Sequence, residues 1–276
     1  MVGAGKRPYL GCMTQIARLD SRALIRVSGP DARPFLHNLL TQDVDMLSDG
    51  ALRYGALLSP PGRLLFDLFL WGEADGVVLD VAADRREGLI QRLAMYRLRS
   101  DVQIAALDEP VFAAWDGDAP GFVADPRLAV LGGRAWGLHI ETTASADDYR
   151  AHGIRHGVPD PALDTVPDKT WPIEANFDLL NGIDFHKGCF IGQETASRMH
   201  RRGTVKNRMM GLTFDGPPPP FGAEVLNGEL RAGEVLGGRD GSAIALLRVD
   251  RLDGQLSVDG RPVTACWPEW MPRDAG

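Results

Sequence analysis

The chain has 276 residues, 44% hydrophobic and 24% charged, which makes it ordinary globular material and not disordered by default, with a full core for about two or three packed units. A formal net charge of -7 argues against a duplex-DNA or general RNA binder, whose affinity rests on neutralising phosphates. Cys12, Cys189 and Cys266 lie far apart with no C-x-x-C pair, so neither a disulfide scaffold nor a self-contained metal cage follows, and no metal ligands are assigned.

Residues 1–26 mix Lys6, Arg7, Arg18 and Asp20 with small and polar residues and lack the apolar stretch of a signal peptide. No later stretch has the length of a membrane span. With the low cysteine usage, this predicts a reducing cytoplasm and no membrane partner.

In chain order, residues 23–27 read as a strand, Gly29-Pro30-Asp31 as a turn, and Phe35, Leu36, Leu39 and Leu40 as the apolar face of a helix. Strands follow at 52–58, 64–71 and 76–81, the first two joined by Ser59-Pro60-Pro61-Gly62 in an antiparallel arrangement. Asp84 opens a helix with Leu89, Leu93 and Tyr96 on one side. Short strands are expected at 102–104, 111–115 and 136–140, then a helix to about residue 155 with Ser145 and Asp148 as cap and first turn. Residues 159–172 are polar and proline-rich and predict a surface connection. After the run Pro217 to Pro220, strand-like spacing of Gly, Val and Leu continues to residue 263.

The chemistry concentrates in residues 187–194, Lys-Gly-Cys-Phe-Ile-Gly-Gln-Glu. Cys189 stands between Gly188 and Gly192, before a helix expected from 192 to about 200. A helix N-terminus and the adjacent Lys187 would both favour the thiolate. A buried structural cysteine is the competing reading. Glu194 and Arg198 have i,i+4 spacing, and Lys187, Arg198, Arg201, Arg202, Lys206 and Arg208 form a local basic stretch that suits either an anion or a solvated face. Asp67 sits inside the apolar run 64–70, so it either faces solvent by alternation or is buried with a partner. Glu174 is readable as a first-turn helix carboxylate.

The octapeptide resembles the signature of the YgfZ-like family, and its lead-in, Pro172-Ile173-Glu174-Ala175-Asn176-Phe177-Asp178 through Asn181-Gly182-Ile183, resembles the family's own. Gly29-Pro30-Asp31-Ala32, Thr41-Gln42-Asp43-Val44, Gly62-Arg63 with Asp67, and Tyr96-Arg97-Leu98-Arg99 extend the likeness over nearly the whole chain. The resemblance implies an α+β fold shared with the aminomethyltransferase (T-protein) of glycine cleavage, three parts around a central folate-binding channel, with a small C-terminal β-barrel module. On that reading residues 1–202 form the folate-binding body, as two interleaved subdomains of about 1–45 with 130–202 and 46–129. Residues 203–276 form the barrel.

It further implies a tetrahydrofolate-binding accessory protein in assembly or repair of iron–sulfur clusters of client enzymes, including tRNA-modifying ones. Its partners would be a reduced folate and iron–sulfur client or assembly proteins. Cys189 would be the functional thiol, and Asp67, Glu174, Lys187, Gln193, Glu194, Arg198 and Arg202 would meet the folate, Glu174 by accepting from the pterin N–H groups. Two departures from the aminomethyltransferases, Val81-Ala82-Ala83 in place of an asparagine and Cys189 in place of an aspartate, speak against the same transfer reaction. A folate-dependent aminomethyl transferase with Asp67 as acid or base, and a non-catalytic folate-binding module, remain as alternatives.

Overall fold

The computed structural model describes residues 13–203 and 205–273. The centre of the body is a five-stranded antiparallel sheet in which β2 (Arg22–Ser28) lies between β5 (Gly76–Ala82) and β6 (Gln103–Leu107), and β5 continues through β4 (Leu64–Glu73) to β3 (Leu52–Leu58). Its inner strands are nearly continuous apolar runs because both faces are covered. On one face Ile25, Val27, Leu57, Leu68, Leu70, Leu79 and Val81 pack against α1 (Ala32–Leu39) and α2 (Arg86–Arg97) through Leu36, Leu89 and Leu93. The alternate residues, Leu24, Tyr54, Leu58, Phe69, Trp71 and Val78, face a second core that includes Ile173 and Phe177.

A second sheet has the order β1 (Gln15–Arg18), β7 (Val111–Trp115), β9 (Gly133–Trp136), β8 (Val123–Ala124). The body therefore does not part at residue 45, since β2 sits inside the sheet built from the segment that follows it. The strand expected at 136–140 lies at 133–136 instead, because Gly137 adopts φ 68° and turns the chain out of the sheet.

Helix α3 (Ala146–Arg155) begins at the expected capping box, in which Ser145 and Asp148 exchange side-chain and backbone hydrogen bonds. Residues 159–172 are a surface connection only in part, exposed at 163 and 166–169 and buried between. They contain α4 (Pro161–Asp164), with Pro161, Asp164 and Thr165 buried, and Asp164 accepts from the Asp160 amide (2.7 Å) and from Arg150 (2.6 Å). The polar composition that suggested solvent serves internal pairing instead.

Past α5 (Gln193–Arg202), strands β10 (Asn207–Thr213), β11 (Glu224–Asn227), β12 (Leu230–Arg239), β13 (Ser242–Arg248), β14 (Leu256–Val258) and β15 (Arg261–Cys266) close a barrel in the order β10-β13-β12-β11-β14-β15. β10 shows how the barrel joins the body. Met210 and Leu212 point into the barrel core, whereas Met209 packs in the body core. At that seam the Met209 amide donates to the Glu174 carbonyl (2.8 Å) and the buried Asn176 amide side chain to the Met209 carbonyl (2.7 Å). Among the described residues no helix is long and apolar enough to cross a membrane.

Candidate functional site

The segment carrying Cys189 is irregular, so its shape comes from contacts with the carbonyls at the end of α1 and with the loop after it. The Thr41 hydroxyl donates to the Gly182 carbonyl (2.6 Å) and accepts from the Ala56 amide (2.8 Å), tying the motif's approach to β3. The Asp184 amide donates to the Thr41 carbonyl (2.9 Å), and the Asp184 carboxylate accepts from the amides of His186 and Lys187.

Lys187 then turns inward. Its buried ammonium donates to the carbonyls of His37 and, at 2.7 Å, of Leu40, capping the C-terminal end of α1 where the dipole favours a cation. It acts as an anchor for the loop, not as an exposed cation waiting for an anion.

Downstream, Gly192 is the N-cap of α5 with φ 79°, and a Cβ there would come within 2.7 Å of the Gly62 Cα and 2.8 Å of the Ser59 carbonyl oxygen. Only glycine allows α5 to begin so close to the β3–β4 turn. Cys189 lies between these two fixed points, four residues before α5, and is exposed. The Gln193 side chain donates to the Gly188 carbonyl (3.4 Å), bridging the loop.

Burial pushes the Lys187 ammonium down to about 8, against the opposing pull of Asp43 and Asp184. Between that value and the ordinary 10.5 the unfolded chain binds the proton and the folded chain does not, so this residue makes stability rise with pH across the window. Accordingly, the stability of the native protein relative to a Lys187→Met variant should grow by on the order of 1–3 kcal/mol from pH 8 to 10.5. Urea unfolding at the two ends measures it, and a flat difference would mean that the amine is hydrated.

The second part of the site is a cavity of about 300 Å³ between the two sheets and α3, lined by Arg22, Asp67, Phe69, Arg127, Tyr149 and Asp160 among others. Asp67 and Asp80 stand on the second face of the five-stranded sheet, where alternation places Phe69 and Val78, and both are buried with partners. Arg22 donates to Asp67 Oδ2 (2.9 Å) and Asp80 Oδ1 (2.6 Å), while Arg134, from β9, donates to Asp80 Oδ2 (2.7 Å). Burial opposes the charge on Asp80, and the guanidiniums of Arg22 and Arg134 outweigh it, so the carboxyl is held below its usual range.

Beside this network Arg127 is paired with Asp125 (2.7 Å) and lies over Tyr54 and Phe69. Burial, with Asp125 adding to it, pushes the Tyr149 hydroxyl up to about 12. Beyond the Tyr54–Phe69–Arg127 stack a wider cavity of about 570 Å³ is formed by Gln42, Arg53, Asn181, Asp184, His186 and His200.

The residues expected to surround one folate are thus distributed over several places. Asp67 lines the central cavity. Glu174 lies in the body–barrel seam, where it accepts from Asn207 (2.9 Å), and Lys187 is the α1 anchor. Gln193, Glu194 and Arg198 are on α5; Glu194 and Arg198 are both exposed, and no ion pair joins them. Arg202 is the last residue of α5, its side chain outside the described set, as is Cys12. Arg208, grouped with the basic stretch, is instead buried and clamps both oxygens of Asp178 (2.6 and 2.9 Å). Sequence reasoning missed Arg22, Asp80, Arg127 and Arg134. For Asp80 the signal was the one that marked Asp67, a charge set inside an apolar strand, as in Val77-Val78-Leu79-Asp80-Val81, whereas Arg127 lies outside any strand and carries no such signal.

Two sheets with a cavity between them, joined to a closed C-terminal barrel, define a protein of the aminomethyltransferase fold. The backbone is similar to that of the glycine cleavage system aminomethyltransferase T from Bartonella henselae, with a TM-score of 0.75 and 19% identity over 94% of this chain and 86% of that one. Residues 206–273 match the family described as CAF17, C-terminal beta-barrel domain. Over 97% of its length the chain is 30% identical to the mitochondrial iron–sulfur cluster assembly factor IBA57 of Homo sapiens, covering 88% of that protein, and it is 29% identical to the Mus musculus protein over 98% and 89%. The chain belongs to the IBA57 family.

These relatives carry the IBA57 name where the sequence motif suggested YgfZ. They also overturn the expectation of a cytoplasmic location, because they are named as mitochondrial. Low cysteine usage reports a reducing compartment and does not say which one.

Proposed function

We propose that this chain is an iron–sulfur cluster assembly factor whose working group is the thiol of Cys189 and whose central cavity takes a reduced folate. The observation that carries the first part is the presentation of Cys189: an exposed soft ligand on a loop fixed at both ends by buried contacts of Lys187 and Gly192. Arg198 and Arg201 are exposed on the helix that follows, and offer a cationic face to an iron–sulfur client or assembly protein. Clients would include tRNA-modifying enzymes. A cell lacking this protein should lose activity of iron–sulfur enzymes and keep that of matched metal-free enzymes. Equal activity in both sets would overturn the assignment.

For the folate, the cavity has the volume of a small ligand pocket, enough for a bicyclic ring. Asp67 and Asp160 supply acceptors for ring and amino N–H groups, Phe69 an aromatic face, and Arg150, paired with Asp164 through one nitrogen, its remaining N–H groups for an outer carboxylate. A bound reduced folate would supply one-carbon chemistry or act as an effector. An aminomethyl transfer with Asp67 as acid or base is disfavoured, since one of its oxygens is occupied by the buried Arg22 guanidinium. Calorimetric titration should give saturable heat with tetrahydrofolate and none with flavin or nicotinamide cofactors. Leu163→Trp, which fills the cavity from an exposed lining position, should weaken binding at least about tenfold, roughly 1.4 kcal/mol. No saturable heat at millimolar tetrahydrofolate would sink the folate assignment alone.

A further inference from the structure

We propose that His37, Asp43 and Asp45 bind one divalent first-row transition cation beside the motif thiol. The site stands on these three side chains and does not rest on the cluster-assembly or folate readings. His37 is in the last turn of α1, and the two aspartates are in the loop that leaves it. The His37 Nδ1 atom is 3.3 Å from Asp43 Oδ1 and 3.3 Å from Asp45 Oδ2, and the three donor atoms all lie within 4.8 Å of one another.

Nδ1 is buried and has no hydrogen-bond partner, although two carboxylate oxygens are this close. Neither oxygen lies where a ring N–H would donate well. The same separation has a different meaning for coordination: bonds of about 2.0–2.2 Å in tetrahedral geometry place neighbouring ligand atoms about 3.3–3.6 Å apart. A cation in the space between the three atoms would use the Nδ1 lone pair and both carboxylates, which a hydrogen bond cannot do at once.

The surroundings hold this arrangement in place. Asp43 Oδ1 accepts from the Met46 amide (3.1 Å), fixing the carboxylate, and the Lys187 anchor holds the His37 carbonyl. One neutral imidazole and two carboxylates carry a charge of about -2, matched by one divalent ion. A nitrogen with two oxygens suits Fe²⁺, Mn²⁺, Co²⁺ or Zn²⁺, and is too hard a set for Cu⁺ and less suited to Ca²⁺, which takes oxygen ligands. Three protein ligands leave a coordination position open. The other ring nitrogen, Nε2, is 3.8 Å from where a Cβ on Gly188 would stand, which puts this imidazole against the residue preceding Cys189. The expectation that the sequence holds no metal ligands overlooked this set because no spacing rule joins His-x₅-Asp-x-Asp to a known site.

Cobalt provides the test, since its visible d–d bands report a low-symmetry nitrogen–oxygen site directly. Titrating the full-length chain with Co²⁺ should produce bands that saturate at one equivalent and are bleached by Zn²⁺. Asp45→Asn changes a side chain that is 57% exposed, so the variant should fold, and it should weaken Co²⁺ binding at least about tenfold. His37→Gln should do the same, with melting curves run alongside. Cys189→Ser should leave cobalt binding unchanged within about twofold, because the thiol is not a ligand of this site. Absence of d–d bands at millimolar Co²⁺ would overturn the proposal. Bands that survive both ligand variants, or that vanish with Cys189→Ser, would overturn it as well.

Discussion

Replacing Asp80 by asparagine should lower the unfolding free energy by about 3–5 kcal/mol, the cost of breaking a buried ion pair by removing one partner. Asp80 is fully buried, and its two carboxylate oxygens serve two guanidiniums, Arg22 at 2.6 Å and Arg134 at 2.7 Å. Asparagine offers one oxygen, so its amide N–H₂ would be set against the other arginine, donor against donor. Arg22 would retain Asp67, whereas Arg134 has a buried Nε without a partner already and would keep the Tyr149 hydroxyl, the nearby charge of Asp125 and the face of Phe69, 3.8 Å from its guanidinium.

The sign of the pH dependence follows from the depressed carboxyl. Its contribution is present above the unfolded value of about 3.9 and is lost as pH falls through the lower folded value, so the gap between native and variant should shrink in strong acid. Asp20→Asn is the control: that residue is exposed and, among the described residues, pairs only with exposed Arg18, so its effect should stay within about 0.5 kcal/mol. Urea unfolding measures all three, and a loss below about 1 kcal/mol at Asp80 would mean that water reaches the network.

This network also marks the limit of what could be read without the structure. The strands β3, β4 and β5 were legible because an apolar run bounded by Ser59-Pro60-Pro61-Gly62 has few other readings, and α3 because Ser145 and Asp148 form a local cap. The motif was legible for the same reason, being eight contiguous residues. What failed is pairing across the chain. Lys187 was read as a free cation because the Leu40 carbonyl it holds lies 147 positions away, and Arg208 as part of a basic face because Asp178 is 30 positions upstream. Residues 159–172 looked solvated since nothing local shows that Asp164 would be enclosed with Arg150. Composition tells which groups need partners, and topology alone supplies them.

Cys189→Ser should abolish restoration of iron–sulfur enzyme activity in a deletion strain while leaving the fold intact, and the structure makes both halves of that expectation specific. The side chain is exposed and lies outside the hydrophobic cores, and the loop around it is held by Lys187, Asp184 and Gly192. Serine changes one atom at a surface position, so stability should move by no more than about 0.5 kcal/mol. What serine removes is a polarizable ligand and nucleophile, chemistry that a hydroxyl near neutral pH does not replace. Cys266→Ser provides the contrast. That thiol is half-buried at the end of β15 in the barrel, with its sulfur 3.6 Å from the Thr213 hydroxyl, and its variant should restore activity fully. In the native protein iodoacetamide should label Cys189 faster than Cys266, since the first is exposed and the second half-buried. Full rescue by Cys189→Ser would show that the octapeptide serves to hold α5 against the β3–β4 turn. Loss of rescue with unchanged melting and unchanged tetrahydrofolate binding would place the function on the sulfur atom itself.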